Sequence, residues 1–84
     1  MKWKKEIARG AGTYEYVSSE DCVNAVIQHG HARKDWWWQV NATYGIYCVS
    51  AHAHAATIAE AKLMCESAAL TVRAGIEAIK EDAE

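Results

Sequence analysis

The chain has 84 residues, a formal charge of −2 and no proline. One domain of this length buries only about 60–65% of the surface its unfolded form exposes, which excludes a second domain or a large core, and the near-neutral charge excludes the broad basic footprint of a typical nucleic-acid binder. Four Trp and four Tyr without any Phe make the aromatic content amphipathic and suit it to half-buried positions.

Met1-Lys2-Trp3-Lys4-Lys5 has no apolar stretch behind its charges, so no signal peptide is expected, and no apolar run is long enough to span a bilayer. Cys22, Cys48 and Cys65 lack C-x-x-C spacing and each sits among apolar neighbours, which predicts reduced, buried thiols and a cytoplasmic protein. Trp3, Lys5 and Ile7 alternate with Lys4, Glu6 and Ala8 in a first short strand that Gly10-Ala11-Gly12 ends. A second strand over 13–18 sets Tyr14 and Tyr16 opposite Thr13, Glu15 and Val17.

Residues 22–29 admit two readings. Ser18 and Asp21 as a capping box, Val23, Val26 and Ile27 at helical spacing, and Gly30 as a stop would make a short helix. Val23, Ala25 and Ile27 alternating with Asn24, Val26 and Gln28 would make a strand, and the β-branched content favours the strand. After the polar connection His31-Ala32-Arg33-Lys34-Asp35, residues 36–42 carry the clearest strand pattern, with Trp36, Trp38 and Val40 on one side and Trp37, Gln39 and Asn41 on the other. Thr43-Tyr44-Gly45 reverses the chain and residues 46–53 return as its hairpin partner. Because a lone hairpin is marginal in water, the face with Trp36, Trp38 and Val40 needs a cover.

That cover is a long helix from Thr57 to about Glu81. Thr57-Ile58-Ala59-Glu60 fits a capping box. At 100° per residue, Ile58, Ala61, Cys65, Ala68, Ala69, Val72, Ile76 and Ile79 share one stripe, with Lys62, Glu66, Arg73 and Glu77 beside it. The alanines let the helix lie close to a sheet whose aromatic side chains supply the missing volume. The expected fold is therefore α+β, a small antiparallel sheet of four or five strands packed on one C-terminal helix. Leu63, Leu70 and Ala74 fall outside the stripe, which makes Leu63 and Leu70 a candidate homodimer surface. Gly75 marks a close approach or a bend.

Met1-Lys2-Trp3, Gly12-Thr13-Tyr14, Trp38-Gln39-Val40 and Thr57-Ile58-Ala59-Glu60-Ala61-Lys62 together resemble a set of short phage and prophage proteins. These run from a Met-Lys-Trp start through a Trp-x-Val strand to an Ala-rich Thr-x-x-Glu-Ala-Lys helix. The resemblance spans most of the chain and implies a host protein or protein complex as partner, with inhibition of host defence, anti-CRISPR activity included, as the implied role. Double-stranded-RNA-binding domains share the sheet-and-helix plan, but their helix opens on Lys-Lys-x-Ala-x-Lys, where this chain keeps only Lys62. AP2-like and integrase arm-binding domains read DNA with Arg-studded strands, whereas the strands here offer Trp37, Gln39 and Asn41, with Arg33 and Lys34 in a loop.

His29/His31 and His52/His54 are two His-x-His pairs, and i, i+2 on a strand share a face, so four imidazoles would approach one sheet edge in a meander. Strand-end histidines without a metal are the expected state, because an intervening strand holds the pairs about 10 Å apart. No phosphate loop, nucleophile elbow or paired carboxylates suggest an enzyme. No cofactor is implied. The expected activity is binding, through Trp37, Gln39, Asn41 and Tyr47 on the open sheet face and Leu63 and Leu70 on the helix. The competing reading is a nucleic-acid regulator using Lys2, Lys4, Lys5, Arg9, Arg33 and Lys34.

Overall fold

The computed structural model describes residues 1–7, 14–29 and 35–83. Its strands β1 (Lys4–Ile7), β2 (Tyr14–Glu20), β3 (Val23–His29), β4 (Trp36–Tyr44) and β5 (Tyr47–Ala55) form one antiparallel meander in the spatial order β1-β2-β3-β4-β5. One helix, α1 (Ile58–Ala83), follows. The fold is α+β, and the ambiguous stretch at 22–29 is a strand, as its β-branched residues favour.

Two-residue reversals fix the register. Glu20 pairs with Val23 across Asp21-Cys22, and Tyr44 pairs with Tyr47 across Gly45-Ile46. Each has a left-handed first residue, Asp21 at φ 52 and Gly45 at φ 60. Glycine reaches this region without a Cβ penalty, and a short polar side chain such as Asp tolerates it better than most. The second reversal falls one position later than the expected 43–45, so β4 continues to Tyr44 and β5 runs to Ala55.

One face of the sheet carries the core. Val23, Ala25 and Ile27 of β3, Trp38, Val40 and Ala42 of β4, and Ala55 of β5 are buried against Ala61, Cys65, Ala69, Val72 and Ile76 of α1. The helix lies over β4 and β5 and reaches β3. Trp38 is the bulkiest of these side chains, and it fills the space the alanines leave while its Nε1 donates to Met64 Sδ at 3.3 Å. Near the far end α1 comes so close to β5 that a Cβ on Gly75 would stand 3.3 Å from Val49 Cγ1. This is a close approach, at which a methyl group would require Val49 to shift by a few tenths of an ångström.

The Thr57 half of the expected capping box is present: the Glu60 amide donates to Thr57 Oγ1 at 3.1 Å, and the Ala61 amide to the Thr57 carbonyl at 3.0 Å. At the other end Lys80 sits in the last turn, where a cation favours the helix dipole, with its Nζ 5.3 Å from the Tyr44 ring centroid.

The thiols do not share one environment. Cys65 is buried, Cys22 is half-buried, and Cys48 is exposed, which corrects the expectation of three buried thiols. Cys48 pairs with Thr43 on the side of the hairpin away from α1, so apolar neighbours along the chain do not cover it. Burial, with a smaller contribution from the Glu66 charge, pushes the Cys65 thiol up from 9.0 to about 12.

In urea unfolding, Trp38→Ala is expected to cost about 3–5 kcal/mol and Thr57→Ala about 1 kcal/mol. The Cys65 thiol ionises near pH 9.0 in the unfolded chain but only near 12 in the folded one. Its contribution to stability is therefore complete below the lower value and is lost as pH rises between the two. Unfolding titrations across this window should show a shallower alkaline decline for Cys65→Ala than for the parent chain.

Candidate functional site

The face of the sheet opposite α1 has no covering element among the described residues. Alternation along β4 sends Trp37, Gln39 and Asn41 to this face once Trp38 and Val40 point to the helix. Cross-strand pairing sets Trp37 between Gln28 and His54, Gln39 between Val26 and His52, and Asn41 between Asn24 and Ser50. All three central residues are half-buried by these neighbours.

Short polar contacts hold the surface in place. Gln39 Nε2 donates to Asn41 Oδ1 at 3.1 Å, and Ser19 Oγ donates to Asn24 Oδ1 at 2.8 Å. The Trp37 and His52 ring centroids are 6.5 Å apart with planes inclined at 39°. Beside them His54 Nδ1 lies 2.9 Å from Asp35 Oδ2, a contact that ties the start of β4 to the end of β5. Toward β1 the face dips into a concavity of about 420 Å³ whose lining includes Lys2, Lys4, Val17, Asn24, Val26 and Asn41. An apolar floor of two valines, a rim of amides and two ammonium groups can take an apolar side chain together with hydrogen-bonding or anionic groups.

Tyr47 is not part of this surface. Because Tyr44 and Tyr47 pair across a two-residue turn, Tyr47 and Val49 share the face of Tyr44 and Ala42, which is the helix side. Tyr47 was expected beside Trp37 on the open face. The expectation treated only the alternation within each strand, and the position of the turn decides which alternating set matches which.

Leu63 and Leu70 are 68% and 72% exposed on the side of α1 directed away from the sheet. Their seven-residue spacing separates them by about 10 Å along the helix. They form a surface separate from the Trp37 face and do not join it in one site.

The histidines also divide. His29 pairs with Trp36 on the helix side, with ring centroids 4.6 Å apart, while His52 and His54 lie on the open face. The convergence of four imidazoles does not form from these three, and His31 lies outside the described residues. Among the described residues no group of three or more His, Cys, Asp or Glu side chains is placed to hold a metal. The basic residues split likewise. Lys2 and Lys4 line the concavity, Lys5 pairs in register with Tyr16 of the helix side, and Arg9, Arg33 and Lys34 lie outside the described residues.

Two groupings escaped the sequence reading. Asp35 beside His54 is one. The other is an aromatic cluster at the helix-side margin, where Tyr16 meets Trp36 edge-on at 6.2 Å and Lys62 Nζ stands 4.9 Å from the Tyr16 centroid. No local pattern signals either, because strand order and the packing of α1 on the sheet bring these distant positions together.

No protein-family model, curated protein or solved structure matches the chain.

A thiol-specific reagent should label Cys48 rapidly in the native protein and reach Cys65 only on unfolding. Trp37→Ala should change the unfolding free energy by about 1 kcal/mol or less, since its removal opens no closed core.

Proposed function

We propose that the chain is a non-enzymatic protein-binding module that docks on a partner through the open sheet face centred on Trp37. The observation that supports this reading is the one-sided cover: α1 packs on a single face of the sheet, and the other presents Trp37 with Gln39 and Asn41 beside a concavity rimmed by Lys2 and Lys4. A Trp ring contributes a large apolar contact at little entropic cost, and such rings dominate binding energy when a partner excludes water from them. The neighbouring amides fix orientation, since any of them left unpaired under a partner would cost binding energy.

The resemblance to short phage proteins narrows the reading to an inhibitor of a host defence complex, anti-CRISPR-like in role and acting in the host cytoplasm. Leu63 and Leu70 are the second contact surface in this reading, for the same partner or for another copy of the chain. No helix of the described structure is long and apolar enough to cross a membrane, which leaves these faces without a bilayer-spanning role for α1.

A second reading, a nucleic-acid-binding regulator, draws on Lys2 and Lys4 standing together at the concavity. The net charge of −2 weighs against it.

Affinity capture from a bacterial host, comparing the parent chain with Trp37→Ala, tests the reading. The partner retained by the parent should be lost or weakened at least tenfold by the variant, while Leu70→Glu reports whether the helix face contributes. Retention on DNA or RNA that falls steeply with added salt, together with indifference to Trp37→Ala, would favour the nucleic-acid reading instead.

A further inference from the structure

The two edges of the sheet differ in kind. The β1 edge is four residues long and carries Lys4, Lys5 and Glu6, the short, charged construction that discourages strand addition. The β5 edge is nine residues long, Tyr47–Ala55, and contains no Lys, Arg, Asp, Glu or Pro. Its register with β4 runs unbroken from Tyr44↔Tyr47 to Trp36↔Ala55, so no bulge twists it away.

The hydrogen-bonding direction of its backbone follows from a neighbouring bond. The Thr43 amide donates to the Cys22 carbonyl at 3.2 Å, on the β3 side of β4. Thr43 therefore turns its polar groups away from β5, and Thr43↔Cys48 is a pair that does not exchange hydrogen bonds. Cys48 must then direct its own amide and carbonyl outward. The strict alternation of an antiparallel ladder extends this to Ser50 and His52, while Tyr47, Val49, Ala51 and Ala53 bond inward to β4. Among the described residues no strand lies beyond β5 to receive the outward groups.

We propose that the β5 edge is a self-association surface, on which β5 of a second copy of this chain pairs antiparallel about a two-fold axis to make a continuous ten-stranded sheet. The strand is self-complementary. With Ser50 on the axis, Cys48 lies opposite the second copy's His52, giving three hydrogen-bonded pairs that use every outward group of Cys48, Ser50 and His52. On the helix side Val49 then meets the second copy's Ala51, and Tyr47 meets its Ala53, apolar against apolar. No like formal charges face each other, because the strand carries no Lys, Arg, Asp or Glu and His52 lies opposite the second copy's Cys48.

The half-exposed state of Val49, Ala51 and Ala53 agrees with an edge that awaits a cover. The flank of α1 above this edge, where Gly75 lies against Val49, carries the small residues Thr71 and Ala78 next to it, which lets a second helix approach there, while Met64 and Asp82 lie farther along the same flank. The leucine surface is a poorer candidate for self-pairing. By the same projection Glu66, Glu77 and Glu81 lie close to Leu63 and Leu70, and a two-fold contact would bring these carboxylates together.

Sedimentation or light scattering over a concentration series tests the proposal with three variants. Ser50→Pro removes an outward amide that the β4 ladder does not use, and Ser50→Lys places two like charges at the axis. The parent chain should show twice the mass of one chain at high concentration, and both Ser50 variants should weaken dimerisation at least tenfold while keeping the native circular dichroism. If Ser50→Pro does not fold, Ser50→Lys decides alone. A parent chain that stays monomeric at every concentration overturns the proposal and leaves the edge for a foreign strand or for none. A dimer that survives Ser50→Lys but is lost in the Leu63→Glu/Leu70→Glu double variant also overturns it and moves the interface to the helix.

Discussion

Everything else in the molecule depends on a volume match between Trp38 and an alanine-rich helix. Ala61 and Ala69 leave a shallow trough along α1, and the indole of Trp38 with the branched side chains of Ile27 and Val40 fills it from the sheet. A helix built of larger inward residues would stand farther off and leave Trp38 unsupported. A sheet of smaller residues would leave voids that cost contact energy on both sides. The glycine at position 75, close against Val49, continues the same approach toward the far end of β5.

That match commits α1 to one face, and with a single helix there is nothing left among the described elements to cover the other. The bare sheet face and the open β5 edge both follow from this scarcity. Trp37 lies on the bare face because it neighbours Trp38 in a strand, and the β5 edge is open because the meander ends there and the chain turns over the sheet and away from its edge. A small domain gains more than a large one from burying such surfaces in an assembly, since it buries a smaller fraction of its own.

Much of the architecture was legible in the residues. The Thr57 cap, the apolar stripe of α1, of which all but Ile58 join or pack on the core, and the division of Trp36, Trp38 and Val40 from Trp37, Gln39 and Asn41 are local signals, and each describes the structure. What was not legible depends on register. Tyr47 moved to the helix side because the turn lies at Gly45-Ile46, and a shift of one residue in a turn exchanges which alternating sets face each other. Cys48 is exposed because its side of β5 has no cover, a fact about layers and not about its sequence neighbours. The Asp35–His54 contact and the Tyr16, Trp36 and Lys62 cluster join positions that only the order of the strands and the packing of α1 make adjacent.

The two adjacent indoles of β4 have opposite fates, Trp38 against the helix and Trp37 on the bare face. Nuclear magnetic resonance of the indole N–H signals in the presence of a soluble paramagnetic agent tests this most directly, with assignments taken from single Trp→Phe variants. The Trp37 signal should broaden strongly, while the Trp38 signal should stay sharp and exchange slowly with solvent. Broadening of Trp38 with protection of Trp37 would mean that the helix covers the other face, and would contradict both the core and the binding surface described for this fold.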